Sequence, residues 1–229
     1  MRLDKLVSEA TPCSRLQAKK IISSGRVSIN GLITKKIGTK VSDTDRVESL
    51  GKELSKLNTR YILVNKPLGF VCSTQDEQYP SALNLLAGVN LANLHFAGRL
   101  DQDTTGLVLI SDDGKWTHRI TSPNSKFNKT YRVELASPLT DEAINLLQTG
   151  VKLKNDDKPT KPATVHQIDK INIEISLTEG RYHQVKRMIA AVGNHVVSLH
   201  RITIGHVTID DEMNSGAWRY LTPAEIEGF

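Results

Sequence analysis

Gly98-Arg99-Leu100-Asp101-Gln102-Asp103-Thr104-Thr105-Gly106-Leu107-Val108-Leu109-Ile110 runs a polar, charged loop straight into an apolar segment. Four consecutive apolar residues, Leu107 to Ile110, predict a short buried strand. A strand fixes the loop in front of it, and loops held by a rigid scaffold commonly carry catalytic groups. On pattern alone the same residues also make an ordinary polar turn, in which Asp and Thr bond their own backbone. The remainder of the chain decides between these readings.

Outward from this loop, Tyr61 to Val64 predicts a buried strand that ends at Asn65-Lys66-Pro67, with a turn at Gly69. Phe70 to Thr74 predicts a resumed strand, Gln75 to Ala82 a polar loop, and Leu83 to Leu86 a helical turn. Downstream, Ser111 to Gly114 reads as a turn. Trp116 to Thr121 reads as a short helix stopping before Pro123, and Thr130 to Leu135 as an alternating strand. Thr140 caps a helix that carries Ala143, Leu146 and Leu147 on its apolar face and ends at Gly150. Ala163 to Ile168 and Ile171 to Leu177 predict paired strands. Glu179 to Met188 starts at a turn and enters a helix with Val185, Met188, Ile189 and Val192 on one face. Gly193 closes that helix, His195 to Leu199 returns as strand, and Pro223 opens a last helix. Strands and short helices are interspersed without βαβ units or a Gly-rich dinucleotide loop. The expected class is therefore α+β, with a mixed, largely antiparallel sheet flanked by short helices.

The first quarter differs from the rest. Of 30 Lys/Arg and 25 Asp/Glu in 229 residues, residues 1–60 hold 13 and 6, a surplus of seven positive charges; the remainder holds 17 and 19. A small basic module on a near-neutral body points to docking on nucleic acid. Its pattern is a helix from Leu3 to Ala10, a break at Thr11-Pro12 and a Ser14-capped helix ending at Gly25. A strand from Arg26 to Ile29 and the hairpin turn Asn30-Gly31 follow. Gly51 to Asn58 reads as a linker, dividing the chain into residues 1–59 and 60–229. No apolar run approaches the ~18 residues that span a membrane. Met1 to Lys5 lacks the apolar core of a secretory signal. Cys13 and Cys72 form no metal spacing and no disulfide framework. A cytoplasmic, reducing setting is expected.

The order Arg2-Leu3-Asp4, Ser14-Arg15, Ala18, Gly25 to Gly31 resembles an S4 RNA-binding domain over about residues 1–47. Arg15 and Lys19, four apart, share a helix face. With Arg2, Lys20, Arg26 and Asn30 at the turn, they are the candidate RNA contacts. Gly-Arg-Leu-Asp-x-x-Thr-x-Gly at Gly98 to Gly106 resembles the catalytic motif of pseudouridine synthases. The variant ending at Ser111-Asp112-Asp113-Gly114 resembles the branch that carries an S4 domain and modifies ribosomal RNA. Asn65 to Gly69, Lys129-Thr130-Tyr131 and Glu179 to Met188 match the same family in the same order.

The resemblance implies isomerisation of a uridine of small-subunit (16S) ribosomal RNA, at uridine 516, without cofactor or metal. The substrate would be free RNA or a partly assembled small subunit, and the enzyme a monomer. Large-subunit or transfer RNA as target, and a non-catalytic assembly factor, are the alternatives. Asp101 matches the essential aspartate, as nucleophile at C1′ or base at C2′. Tyr131 matches the tyrosine that packs on the uracil. Lys186 stands where related branches often carry arginine, and is the expected cationic neighbour of Asp101, with Arg187 and Arg181 as alternatives. Arg99 matches the residue that replaces the flipped-out uridine. Thr105, Arg181 and Arg187 are further substrate-binding candidates. Asp103 and His183 are expected to support the loops, and the Asn65 to Gly69 motif to support the catalytic loop.

Overall fold

The computed structural model describes every residue except 12, 43, 55–58, 77, 123 and 124. The breaks expected at Thr11-Pro12 and Pro123 and the core of the expected linker fall on or beside these positions, outside the described residues. Chain contacts divide the molecule into two units, Met1–Thr59 and Arg60–Phe229.

The first unit contains α1 (Leu3–Ala10), α2 (Arg15–Ser23), β1 (Val27–Ile29), β2 (Leu32–Ile33), β3 (Val47–Ser49) and β4 (Lys52–Glu53). Ser14 caps α2 through a capping box with Gln17. Asn30 and Gly31 both take positive φ (51° and 81°), as a two-residue hairpin with right-handed strand twist requires. Leu3, Leu6, Val7, Ala18, Ile22, Val27, Val41, Val47 and Leu54 form the core. One expectation is corrected here. Gly51 does not begin a linker, because Leu50 and Gly51 both take positive φ and turn the chain into β4, which pairs with β3. The charged dipeptide Lys52-Glu53 hides that strand, and Leu54 behind it is buried.

In chain order, the second unit contains β5 (Tyr61–Lys66), a 3-10 turn (Ala82–Leu85), β6 (His95–Phe96), β7 (Thr105–Ser111), α3 (Gly114–Thr121) and β8 (Lys129–Leu135). It continues with α4 (Asp141–Thr149), β9 (Thr164–Gln167), β10 (Asn172–Leu177) and α5 (Gln184–Ala191). The last elements are β11 (Val196–Ile204), β12 (Val207–Thr208), β13 (Trp218–Tyr220) and α6 (Pro223–Glu227). The sheet runs β13-β5-β7-β11-β8-β10-β9, with β12 on β11 and β6 on β7. The class is α+β, as the sequence predicts. The β7–β11 pair is parallel and the other described pairs of this sheet are antiparallel.

β5 and β7 are apolar on both faces because both faces are covered. Leu63, Leu107 and Leu109 pack with Trp116, Ile120, Leu221 and Phe229 on one side. Ile62, Val64, Val108 and Ile110 pack with Leu83, Leu86 and Leu94 on the other. A third cluster joins β8, β10, α4 and α5 through Val133, Ile175, Leu147 and Met188. Phe70 to Thr74 is not a strand; it contributes one isolated bridge, Val71 to Ser81. Both edges of β5 are already taken, by β13 and β7, so the segment cannot pair with β5.

At the parallel seam, Thr105 and Gly106 face His200 and Arg201. Gly106 has φ +103°, and a Cβ there would lie 2.3 Å from the Arg201 carbonyl oxygen and 2.7 Å from its nitrogen. Gly106→Ala is therefore expected to cost about 3 kcal/mol or more, from both strain and backbone collision. Gly69→Ala, at φ +81° with nothing near the new methyl, costs only the roughly 1–3 kcal/mol of left-handed strain. Urea unfolding of the two variants compares them directly, and equal losses would show that the seam yields.

Candidate active site

The seam explains how distant residues meet. β7 and β11 are parallel, so the loop entering β7 and the helix preceding β11 arrive at the same end of the sheet. That loop carries Asp101, and α5 carries Lys186. The loop is held from beneath by the Pro67 to Thr74 segment. Gly69 N–H donates to the Gln102 carbonyl (3.0 Å), and Leu100 N–H donates to Cys72 Sγ (3.4 Å). Lys66, fully buried, donates to the carbonyls of Pro67 (2.9 Å) and Phe70 (2.8 Å). Burial pushes its ammonium below the usual lysine value, and the carboxylates of Asp103 and Asp101 oppose that.

Lys186 Nζ lies 3.0 Å from Asp101 Oδ2 and 2.5 Å from Asp103 Oδ1. Burial lowers the Lys186 pKa, but the hydrogen bonds and charges of Asp103 and Asp101 outweigh it and hold the ammonium above its ordinary value. For Asp103, burial raises the pKa and the Lys186 hydrogen bond and charge overturn that, leaving it lowered. His183 Nε2 approaches the other oxygen of Asp101, Oδ1, at 3.3 Å. Asp101 is thus a part-exposed carboxylate with a cation on one oxygen and an imidazole near the other. It sits where a narrow cavity, shared with Tyr131, Arg99 and Lys186, opens into a wider groove.

The other predicted residues divide. Tyr131, on β8 opposite Arg201, lines the cavity, and the Arg201 guanidinium carbon lies 6.0 Å from its ring centre. Arg99 is exposed where cavity and groove meet. Arg181 and Arg187 turn to a different acid, pairing with Asp156 at 3.0 and 2.6 Å, so neither is the partner of Asp101. Arg181 still lines the cavity wall. The Thr105 hydroxyl is bonded to His200 Nδ1 (2.8 Å) at the seam, and Thr104 lines the cavity. Pattern reading missed Arg201 and the sharing of Lys186 by Asp103; Lys66 lies inside the Asn65 to Gly69 motif expected to support the catalytic loop.

In the first unit, Arg2 and Arg15 both bond the buried carboxylate of Asp4, at 3.0 and 3.2 Å. The Arg2 hydrogen bond holds the Asp4 carboxyl below the usual range, against its burial and with help from Arg15. Arg15, Lys19, Lys20 and Arg26 are exposed. The Asn30 side chain donates to Asp45 and accepts from the Arg46 N–H, closing the hairpin onto the next loop, and the residue is exposed. Among the described residues no group of three His, Cys, Asp or Glu is placed to hold a metal ion. Likewise no helix is long and apolar enough to cross a membrane.

Residues 60–191 match the family described as RNA pseudouridylate synthase, and residues 1–47 match the S4 domain. Ribosomal small subunit pseudouridine synthase A of Vibrio vulnificus is 48% identical, covering 99% of this chain and 98% of its own. The protein of the same name from Pasteurella multocida is 45% identical, covering 100% and 99%. A crystal structure of a pseudouridylate synthase superposes with TM-score 0.72 at 44% identity, over 100% of this chain and 99% of that one.

The ion cluster sets a pH dependence. Asp103 is lowered in the folded state, so its contribution to stability is present above its unfolded pKa, roughly 4, and disappears as pH falls through the folded value. The stability gap between the wild type and Asp103→Asn, from urea titrations, is expected to be constant from about pH 5.5 to 8 and to close below about pH 4. A gap that widens in acid contradicts the ion pair.

Proposed function

We propose, for a chain that belongs to the RNA pseudouridylate synthase family and carries an S4 domain ahead of the catalytic unit, that it isomerises one uridine of small-subunit ribosomal RNA, uridine 516. The relatives' names support the RNA, and the observation that carries the chemistry is the placement of Asp101, Lys186 and Tyr131 around one cavity.

The reaction breaks the bond between ribose C1′ and uracil N1, turns the base, and joins C1′ to C5; the C5 proton leaves and N1 gains one. It consumes no redox equivalent and no group donor, so no cofactor is required. Asp101 acts at the sugar, either attacking C1′ or taking the C2′ proton. Lys186 sets its ammonium against that carboxylate at 3.0 Å, an opposite charge beside the reacting acid. Tyr131 offers its ring to the uracil face and its hydroxyl to the departing C5 proton. Arg99, at the mouth, stacks into the gap left by the extruded base, recovering part of the few kcal/mol that flipping costs. In the S4 unit, Arg2, Arg15, Lys19, Lys20 and Arg26 meet phosphates, which position the protein without reading sequence. The protein works as a monomer in the cytoplasm, on free RNA or a partly assembled subunit.

Carbodiimide-adduct primer extension on unmodified small-subunit RNA tests the assignment. Wild type is expected to give one new stop, and Asp101→Asn none, with RNA affinity within a few fold of wild type. Substantial product from the variant removes Asp101 from its role. For the S4 unit, Arg15→Gln and Lys19→Gln are each expected to flatten the slope of log affinity against log salt by about 1. A slope unchanged in filter-binding titrations shows that these side chains meet no phosphate.

A further inference from the structure

Tyr182 is 76% exposed, an unusual position for a large aromatic ring whose burial is favourable. It is not loose. Its ring stacks on His183 with centroids 3.7 Å apart and planes 23° from parallel. His183 holds a left-handed backbone, φ 47° and ψ 37°, which a side chain with a Cβ seldom adopts. Strain of this kind persists only where the surroundings enforce it, and it gathers at functional sites. The enforcement is visible. Gln184 accepts from the Arg181 N–H (2.8 Å) and donates to Glu179 (2.6 Å), while Arg187 donates to the Tyr182 carbonyl (3.2 Å). The stacked pair is therefore pre-set, with one face of the tyrosine covered by imidazole and the other open.

The open ring lines a groove of about 880 Å³ that also touches His95, Phe96, Arg99 and Asp101. His183, under the ring, reaches Asp101 at 3.3 Å. An aromatic face, uncharged and beside a catalytic carboxylate, suits a flat, neutral, unpaired base rather than a phosphate. We propose that Tyr182, backed by His183, is a second nucleotide subsite that stacks an unpaired nucleobase next to the target uridine. This rests on the uridine-isomerase reading and adds a substrate requirement to it. A base within a duplex has both faces covered, so the nucleotide on that side must be unpaired or must unstack. Stacking accepts any base, because every base has a π face. The platform therefore selects RNA by local structure, not by sequence.

The test uses full-length protein and a stem-loop from the target region, intact or with an abasic nucleotide immediately 5′ or 3′ of the uridine. On intact RNA, Tyr182→Ala is expected to raise KM about tenfold with kcat within about twofold, and Tyr182→Phe to restore wild-type KM. One of the two abasic RNAs should cost wild type the same, and Tyr182→Ala should add nothing on that RNA. No cost, or an equal added cost on intact RNA and both abasic RNAs, overturns the subsite. If wild type makes no product, the isomerase reading fails by itself. The subsite is then decided by 2-aminopurine at each flanking position in turn: it stands if wild type quenches one position and Tyr182→Ala does not, and falls if the two proteins quench alike. Equal melting temperatures for the three proteins establish that the effect is local.

Discussion

The site depends on how closely two parallel strand segments approach. β7 and β11 meet over Thr105-Gly106 and His200-Arg201, and the approach is possible because position 106 has no side chain. Arg201 reinforces it from inside, donating from Nε to the Leu107 carbonyl at 2.8 Å while its own backbone faces Gly106. Two half-sheets, each antiparallel within itself, are thereby joined edge to edge. The loop entering one and the helix preceding the other converge, and that convergence places an aspartate against a lysine.

A lysine at position 186 has a consequence that an arginine would not. A guanidinium matches a single carboxylate through two parallel bonds, whereas an ammonium is a compact charge with three donors in a cone. Lys186 uses that freedom to serve Asp101 and the more exposed Asp103 together. Asp101 meets the ammonium through Oδ2 at 3.0 Å, while its other oxygen, Oδ1, faces the imidazole of His183 at 3.3 Å.

Much of this was legible because the physical signals are local. Leu107 to Ile110 reads as a strand because the apolar run is short, carries the β-branched Val108 and Ile110, and lies between Gly106 and the Ser111 to Gly114 turn. Ser14, Thr140, Gly25 and Gly193 punctuate helices through their own backbone chemistry. Asp101 and Lys186 were legible through resemblance, and their meeting required the fold. The failures share a cause, which is tertiary. Phe70 to Thr74 has strand-like residues, but no free edge remains on β5. Lys52-Glu53 looks like linker, yet a tight turn at Leu50-Gly51 returns it to β3. Thr104 and Thr105 are adjacent and alike, and only the start of the strand separates the cavity side from the seam side.

The geometry also imposes an order on the appearance of the parts during synthesis. The S4 unit closes through contacts among the first 59 residues, whereas Asp101 and Lys186 lie 85 residues apart. The seam needs β11, and the outer edge of β5 needs Trp218 to Tyr220. A chain emerging from the ribosome therefore completes its basic module while its second unit is still an open collection of strands, held back by the slow closure of long loops. The constellation around the aspartate is assembled only after α5 and β11 have been made.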